Sequence, residues 1–187
     1  MGFKNSPARR TQPARLDEAN LLDYALKSLS HRAHSEKELR TRLNRRSASQ
    51  AATDAVVAKL REYGYLDDSR FAESFATSRL EGRGHGPQRV LRDLRARSVS
   101  ATNAEAAVDR VFAGADEAAL AAQYLTRKFR GKNLPEFLAD PKNLNAAFRR
   151  LRYAGFPASV SIDVLRRHST LAQELEDDPG GPPSEDE

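Results

Sequence analysis

Three consecutive stretches of the chain carry one apolar pattern, and that recurrence limits the fold more than any other feature. Leu43, Leu94 and Leu151 fall at equivalent places. So do Val56, Ala107 and Val164, and then Val57, Val108 and Leu165. Upstream, Tyr24, Phe75 and Tyr124 coincide once the third stretch is allowed about eight extra residues in its connection. Within each stretch the apolar positions recur every three to four residues, the period of a helix buried on one side. No segment alternates as a half-buried strand does. A unit of about 45–50 residues buries too little surface to be secure alone, so tandem units are expected to share faces, as helical solenoids do.

The corner between the first two units is the clearest local signal. Leu60 and Tyr63 close one apolar stripe, and Gly64 suits the left-handed residue that ends a helix because it has no Cβ. Tyr65 and Leu66 are expected to pin the corner to a core. Asp67 or Asp68 then caps the next helix, whose stripe restarts at Phe71, Ala72, Phe75 and Ala76. An acid pair here could also serve catalysis or a metal, but its place between a glycine corner and a helix favours capping.

Other starts and stops follow the same logic. The first helix begins near Leu16 or Asp17 and buries Leu21, Leu22, Ala25, Leu26 and Leu29. Ser35-Glu36-Lys37-Glu38 reads as a capping box, opening a helix with Leu39 and Leu43. Ser49 caps a third. In the second unit Gly82, Gly84 and Gly86 break the first helix, Pro87 opens the next, which buries Val90, Leu91 and Leu94, and Thr102-Asn103-Ala104-Glu105 reads as another capping box. In the third unit Leu120, Ala121, Tyr124, Leu125 and Phe129 form a stripe. A longer connection follows over 130–142, with one short turn at Glu136–Ala139. Ala147, Phe148 and Leu151 come next, then a turn at Gly155-Phe156-Pro157 and a last helix with Val160, Val164 and Leu165.

The expected fold is therefore all-α: an elongated, curved array of three tandem three-helix repeats with disordered termini. The divisions are a basic tail over 1–16, repeats over 17–66, 67–113 and 114–169, and an acidic tail over 170–187. The tails differ in charge. Of 31 basic side chains, Lys4, Arg9, Arg10 and Arg15 lie in the first fifteen residues with no acid; of 26 acidic ones, seven lie in the last seventeen with no base. Residues 16–170 thus hold 27 bases against 19 acids. A basic body suits a polyanionic partner or an acidic protein groove, and an ordinary solvated surface accounts for part of it.

Several chemistries find no support. The absence of cysteine removes disulfides, thiolate metal sites and a cysteine nucleophile. The first fifteen residues lack the apolar stretch of a secretory signal, and no apolar run reaches the roughly 18 residues of a membrane span. The expectation is a soluble cytoplasmic monomer with no membrane association. Arg83-Gly84-His85-Gly86 fits neither the dinucleotide nor the Walker spacing and reads as a helix–helix connection. His31 and His34 are three apart, but without cysteine or a zinc signature they read as a surface pair rather than a metal site. No nucleophile motif occurs, so no enzyme, cofactor or metal is expected.

The arginines are better placed. After Pro87, Val90, Leu91 and Leu94 take one helix face, and Arg89, Arg92 and Arg95 fall three apart along another. The repeat puts Arg149 and Arg152 at the places of Arg92 and Arg95, with Arg150 adding to the patch. Arg42, Arg45 and Arg46 crowd the corresponding helix of the first unit, and Arg79 and Arg83 lie just upstream of the strongest stripe. Rows of guanidinium groups hold phosphates or carboxylates in bidentate pairs.

The corner Gly64-Tyr65-Leu66-Asp67-Asp68-Ser69-Arg70-Phe71-Ala72, followed by Gly84-His85-Gly86-Pro87-Gln88-Arg89-Val90 and Leu94, resembles the RecX family of bacterial recombinase regulators. The first unit is similar through Ala25-Leu26, Leu29, Ser35-Glu36-Lys37-Glu38-Leu39 and Leu43. The likeness covers residues 20–168, with Ser98 standing where the family often has glycine. The resemblance implies a curved protein of tandem three-helix units that binds the RecA–single-stranded DNA filament. It implies that such a protein limits RecA activity in recombination and in the SOS response, with single- or double-stranded DNA as a further partner. The arginines named above are the expected contact surface. A helix-turn-helix transcriptional regulator is the alternative, though reading helices usually mix Asn, Gln or Ser among the arginines. A metal-dependent hydrolase using the acids and histidines is a third reading.

Overall fold

The computed structural model describes residues 15–172. These form ten helices and no strand; one isolated parallel bridge joins Leu16 to Ser47. The chain divides into two compact units, one ending at Asp67 and one beginning at Asp68. No described helix is long and apolar enough to cross a membrane.

The first unit holds α1 (Glu18–His31), α2 (Glu36–Asn44) and α3 (Gln50–Glu62). Each starts on a side-chain cap that accepts a backbone amide of the first turn: Asp17 from Asn20, Ser35 from Glu38 and Ser49 from Ala52. Leu21, Ala25, Leu39, Leu43, Val56, Val57, Leu60 and Leu66 form its core. The chain is ordered from before the expected first repeat: Leu16 donates to Arg46 O at 2.7 Å and accepts from Ala48 N at 2.9 Å, tying the entry of α1 to the end of α2.

The second unit contains two further cores. α4 (Asp68–Arg83), α5 (Pro87–Ala96) and α6 (Ala101–Phe112) surround Ala72, Ala76, Val90, Leu94, Val99, Ala104, Ala107 and Val108. α7 (Glu117–Lys128), the one-turn α8 (Leu134–Phe137), α9 (Pro141–Ala154) and α10 (Ala158–Arg166) surround a larger core that includes Leu125, Leu138, Leu151, Phe156 and Leu165. The positions matched by the sequence repeat are the buried ones. Leu43, Leu94 and Leu151 are fully buried, as are Val56, Ala107 and Val164.

Helix ends explain why the units turn where they do. At the end of α3, Gly64 is left-handed at φ +71°, Gly64 N donates to Arg61 O and Tyr65 N to Leu60 O. That pair of bonds is the Schellman closure, which satisfies carbonyls the helix leaves open. α5 and α9 end the same way, through Leu94 O with Val99 N and Leu151 O with Phe156 N. The left-handed residues there are Ser98 at φ +60° and Gly155 at φ +96°, which are equivalent in the repeat.

Several expectations are corrected. Tyr65 does not pin the corner, being 59% exposed, and Leu66 alone of that pair is buried; Tyr63 does not close the stripe with buried Leu60, being 62% exposed. The cap of α6 is Ser100, whose hydroxyl accepts from Asn103 N at 3.2 Å, so Thr102 already lies inside the helix. Gly82 does not break α4, which runs to Arg83; the break comes at left-handed Gly84. His34 is buried, so it is no surface partner of exposed His31. At the far end Thr170–Ala172 form a short turn, and Ala172 is buried in the third core, inside the span expected to be a tail. Residues 1–14 and 173–187 of the two expected tails lie outside the described residues.

Candidate functional site

α5 starts on Gly86, which has no side chain to cap the orphan amides of the first turn. The end of α9 supplies the acceptors instead. Gly86 N donates to Ala154 O at 2.8 Å and Gln88 N to Gly155 O at 3.2 Å. The carbonyl end of one helix thus meets the amide end of the other, the favourable pairing of their dipoles. The approach is backbone on backbone. A Cβ on Gly86 would lie 2.6 Å from Gly155 O, and a Cβ on Gly155 would collide with the Arg89 backbone. This contact joins the second three-helix group to the third.

It also brings together two rows of arginines that the sequence leaves 57 residues apart in the repeat register. Arg89 binds Asp93 at 2.9 Å and lies 4.4 Å over the Tyr153 ring. Arg92 donates to Tyr153 O at 3.2 Å, and Arg152 to Phe156 O at 2.7 Å. Arg79 stands 3.6 Å from Asp93 and over Phe75. Arg95 pairs with Glu105 across to α6 at 2.9 Å. The expected stripe of α5 is therefore partly engaged in holding the fold. Arg83, Arg149 and Arg150 are exposed, with Arg150 over Phe129. Arg42, Arg45 and Arg46 belong to the first unit, where Arg42 and Arg46 lie 5.6 and 5.5 Å over Tyr24.

The arginine–aromatic contact recurs. Arg46 on Tyr24 and Arg97 on Phe75 occupy equivalent positions, and Arg127 lies over Tyr124, the third aromatic of the set. Each ring is half-buried beneath a guanidinium, an arrangement worth about 0.5–1 kcal/mol where exposed.

Beside the junction lies a hollow of about 450 Å³, lined by Arg83, His85, Tyr124, Arg127 and Lys128. Arg127 reaches over left-handed Gly84 and donates to Arg83 O. Burial raises the Tyr124 hydroxyl above its ordinary pKa; Arg150, Arg127 and Arg89 are near enough to act against that rise. Burial likewise lowers His85, against the pull of Asp93 at 4.0 Å, while Arg89, Arg79 and Arg83 add to the lowering. Both effects favour the neutral form of His85 beside these cations. Sequence reasoning missed Arg127, Lys128, His85, Tyr124 and Tyr153 as members of this basic patch. The signal for Tyr124 was present in its alignment with Tyr24 and Phe75. Among the described residues no group of three or more His, Asp or Glu could hold a metal ion.

Comparison with known proteins bears on what this arrangement serves. Residues 22–60 match the first three-helix domain of RecX, and residues 67–108 match the second. The regulatory protein RecX of Halorhodospira halophila is 36% identical over 161 residues, covering 86% of this chain and 91% of that protein. The regulatory protein RecX of Escherichia coli strain SE11 is 34% identical over 158 residues, covering 79% of this chain and 91% of its own. Among solved structures, RecX from Lactobacillus salivarius superposes with a TM-score of 0.64 at 18% identity over 86% of this chain and 97% of that one, a likeness of fold. With relatives this similar along nine-tenths of their own length, the chain belongs to the RecX family of regulatory proteins.

Proposed function

We propose that this protein regulates the RecA recombinase by binding RecA–single-stranded DNA filaments, mainly lowering their activity in recombination and in the DNA-damage response. The observation that carries the reading is the match to proteins named regulatory protein RecX along most of the chain. The clustering of arginines from α4, α5, α7 and α9 around one junction supports it, because guanidinium groups suit both phosphate and carboxylate partners. The protein acts as a cytoplasmic monomer, without catalysis or cofactor of its own.

The test is RecA ATPase on single-stranded DNA with increasing amounts of the protein. The activity is expected to fall. An unchanged rate across a range that exceeds the RecA concentration would overturn the reading. Site assignment needs a separate variant. Arg92 holds the Tyr153 carbonyl, so its reversal disturbs the junction as well as the surface. Arg149→Glu with Arg150→Glu is cleaner, since both side chains are exposed. That pair is expected to weaken inhibition while leaving the thermal melt in place.

A further inference from the structure

We infer that the acidic segment over residues 173–187 seats its Glu185-Asp186-Glu187 cluster on the basic hollow of its own chain, beside the α5–α9 junction, and shields it from other polyanions. The contact does not depend on the RecA reading above, and its test is made without RecA.

The hollow supplies the first argument. Elsewhere in the second unit, arginines are answered by acids of the fold: Arg79 and Arg89 by Asp93, Arg95 by Glu105 and Arg110 by Glu73. The hollow gathers Arg83, Arg127 and Lys128 with His85 and Tyr124, and no carboxylate is among its lining residues. Arg127 spends a guanidinium N–H on Arg83 O, a neutral acceptor, so its charge stays unmatched there. The second argument is the composition of the segment. The last seventeen residues carry seven acids and no base. These acids fall in two clusters, Glu174 to Asp178 and Glu185 to Glu187, with Pro179-Gly180-Gly181-Pro182-Pro183-Ser184 between them. A block of like charge repels itself and gains wherever fixed cations are concentrated. Three consecutive carboxylates match the three cations of the hollow. Residues 1–14, also outside the described part of the chain, hold Lys4, Arg9 and Arg10 and no acid, so that segment does not suit the place.

The third argument is reach. The segment departs from Ala172, which is buried in the same core as Ala121 and Leu125 of α7. Lys128 is the last residue of α7, whose 12 residues extend only about 18 Å. The 13 residues from Ala172 to Glu185 span up to about 43 Å when extended. The cluster therefore reaches any point on α7 with slack, within one compact unit. Tethering sets an effective concentration of order 1 mM, so a contact with a dissociation constant of about 1 mM is half occupied within one chain. A second copy of the chain would meet that condition only at millimolar protein.

The experiment uses the full chain and has two readouts. Carbodiimide coupling joins a carboxylate to a lysine amine that touches it, and peptide mass spectrometry locates the link. The peptide holding Glu185, Asp186 and Glu187 is expected to couple to Lys128, in a fraction unchanged by roughly tenfold dilution, as an intramolecular contact requires. The link should vanish in about 1 M salt, where charges are screened beyond about 3 Å. The second readout is the affinity for fluorescein-labelled heparin, a polyanion probe, by fluorescence anisotropy. Glu185→Gln, Asp186→Asn and Glu187→Gln together are expected to tighten heparin binding about twofold or more, because a half-occupied internal competitor leaves half the site open. The same three changes in an Arg83→Glu, Lys128→Glu background should give much less gain, since the hollow then has little to release. A thermal melt of each variant establishes that it is folded. No coupling to Lys128, or equal coupling to Lys27, Lys37 and Lys59 of the first unit, would sink the proposal. So would a link that fades on dilution, which assigns the contact to a second copy. An equal gain in heparin affinity in both backgrounds would likewise overturn it, because net charge alone then accounts for the effect.

Discussion

Ser98 carries a left-handed backbone that side chains with a Cβ adopt at a cost of about 1–2 kcal/mol. It does so because Ser98 N and Val99 N must close the end of α5 on Arg95 O and Leu94 O, and Val99 must turn inward to be buried. The equivalent residue after α9 is glycine, and the family resemblance also points to glycine here. Ser98→Gly is expected to raise stability by about 0.5–1 kcal/mol, the relief of strain exceeding the extra freedom of the unfolded chain. Urea denaturation checks it; an unchanged or lower midpoint at equal slope would show that the serine is not strained. Two histidines give a second expectation at this scale. Burial lowers His34 despite Glu38 at 3.6 Å, with Arg32 and Arg42 adding to the lowering, and burial lowers His85 as well. Below the ordinary value of 6.5 the unfolded chain therefore binds more protons than the folded one. Stability from these groups is full above that value and is lost as pH falls toward their folded values. Melts at about pH 7.5 and about pH 5.5 should show the decline, and His34→Gln should lessen it. A flat profile in wild type would remove the inference.

The junction of α5 with α9 is a contact between helix ends, and its two glycines have different duties. Gly86 gives up a capping side chain so that the α9 carbonyls can serve α5 directly. Gly155 needs both a positive φ and the absence of a Cβ, since the Arg89 backbone occupies that space. Gly155→Ala is expected to cost about 2 kcal/mol or more, because backbone cannot yield as a side-chain tip does. It should also free the Arg92 guanidinium from Tyr153 O, which NMR measurement of hydrogen exchange at that guanidinium would register. A fall in stability without any change at Arg92 would mean that α5 keeps its contact by another route. The helices themselves were readable from sequence because their information is local: apolar residues every three to four positions, Ser35 and Ser49 at caps, Gly64 at a stop. Thr102 reads as the cap ahead of Ser100 because Glu105 stands three residues after it, as a capping box requires, whereas the residue three after Ser100 is Asn103 and only its backbone amide is used. The junction was not readable. Gly86 and Gly155 meet through backbone atoms, and the partners of Arg92 and Arg152 are carbonyls, which no residue type announces. The arginine rows were visible as residues, but which of them hold the fold and which face outward depends on that contact.

At the scale of the whole chain, each three-helix group has its own core, and the first group forms a compact unit of its own. A group of about 50 residues buries little, so its stability margin is small. Leu60 bears on this more than most residues of α3: its side chain is fully buried, and its carbonyl accepts from both Tyr65 N and Leu66 N at the corner. Truncation removes packing in a core of eight buried side chains, so little is left to collapse into the space. Leu60→Ala is expected to cost about 2–5 kcal/mol, most of what so small a unit can hold. If the units are separate cooperative blocks, the loss should stay local. Hydrogen exchange followed by mass spectrometry is then expected to show amides of α1, α2 and α3 losing protection while those of α9 keep theirs. Equal loss in α9 would mean that the chain unfolds as one block, and that the separate cores are a feature of packing without a counterpart in cooperativity.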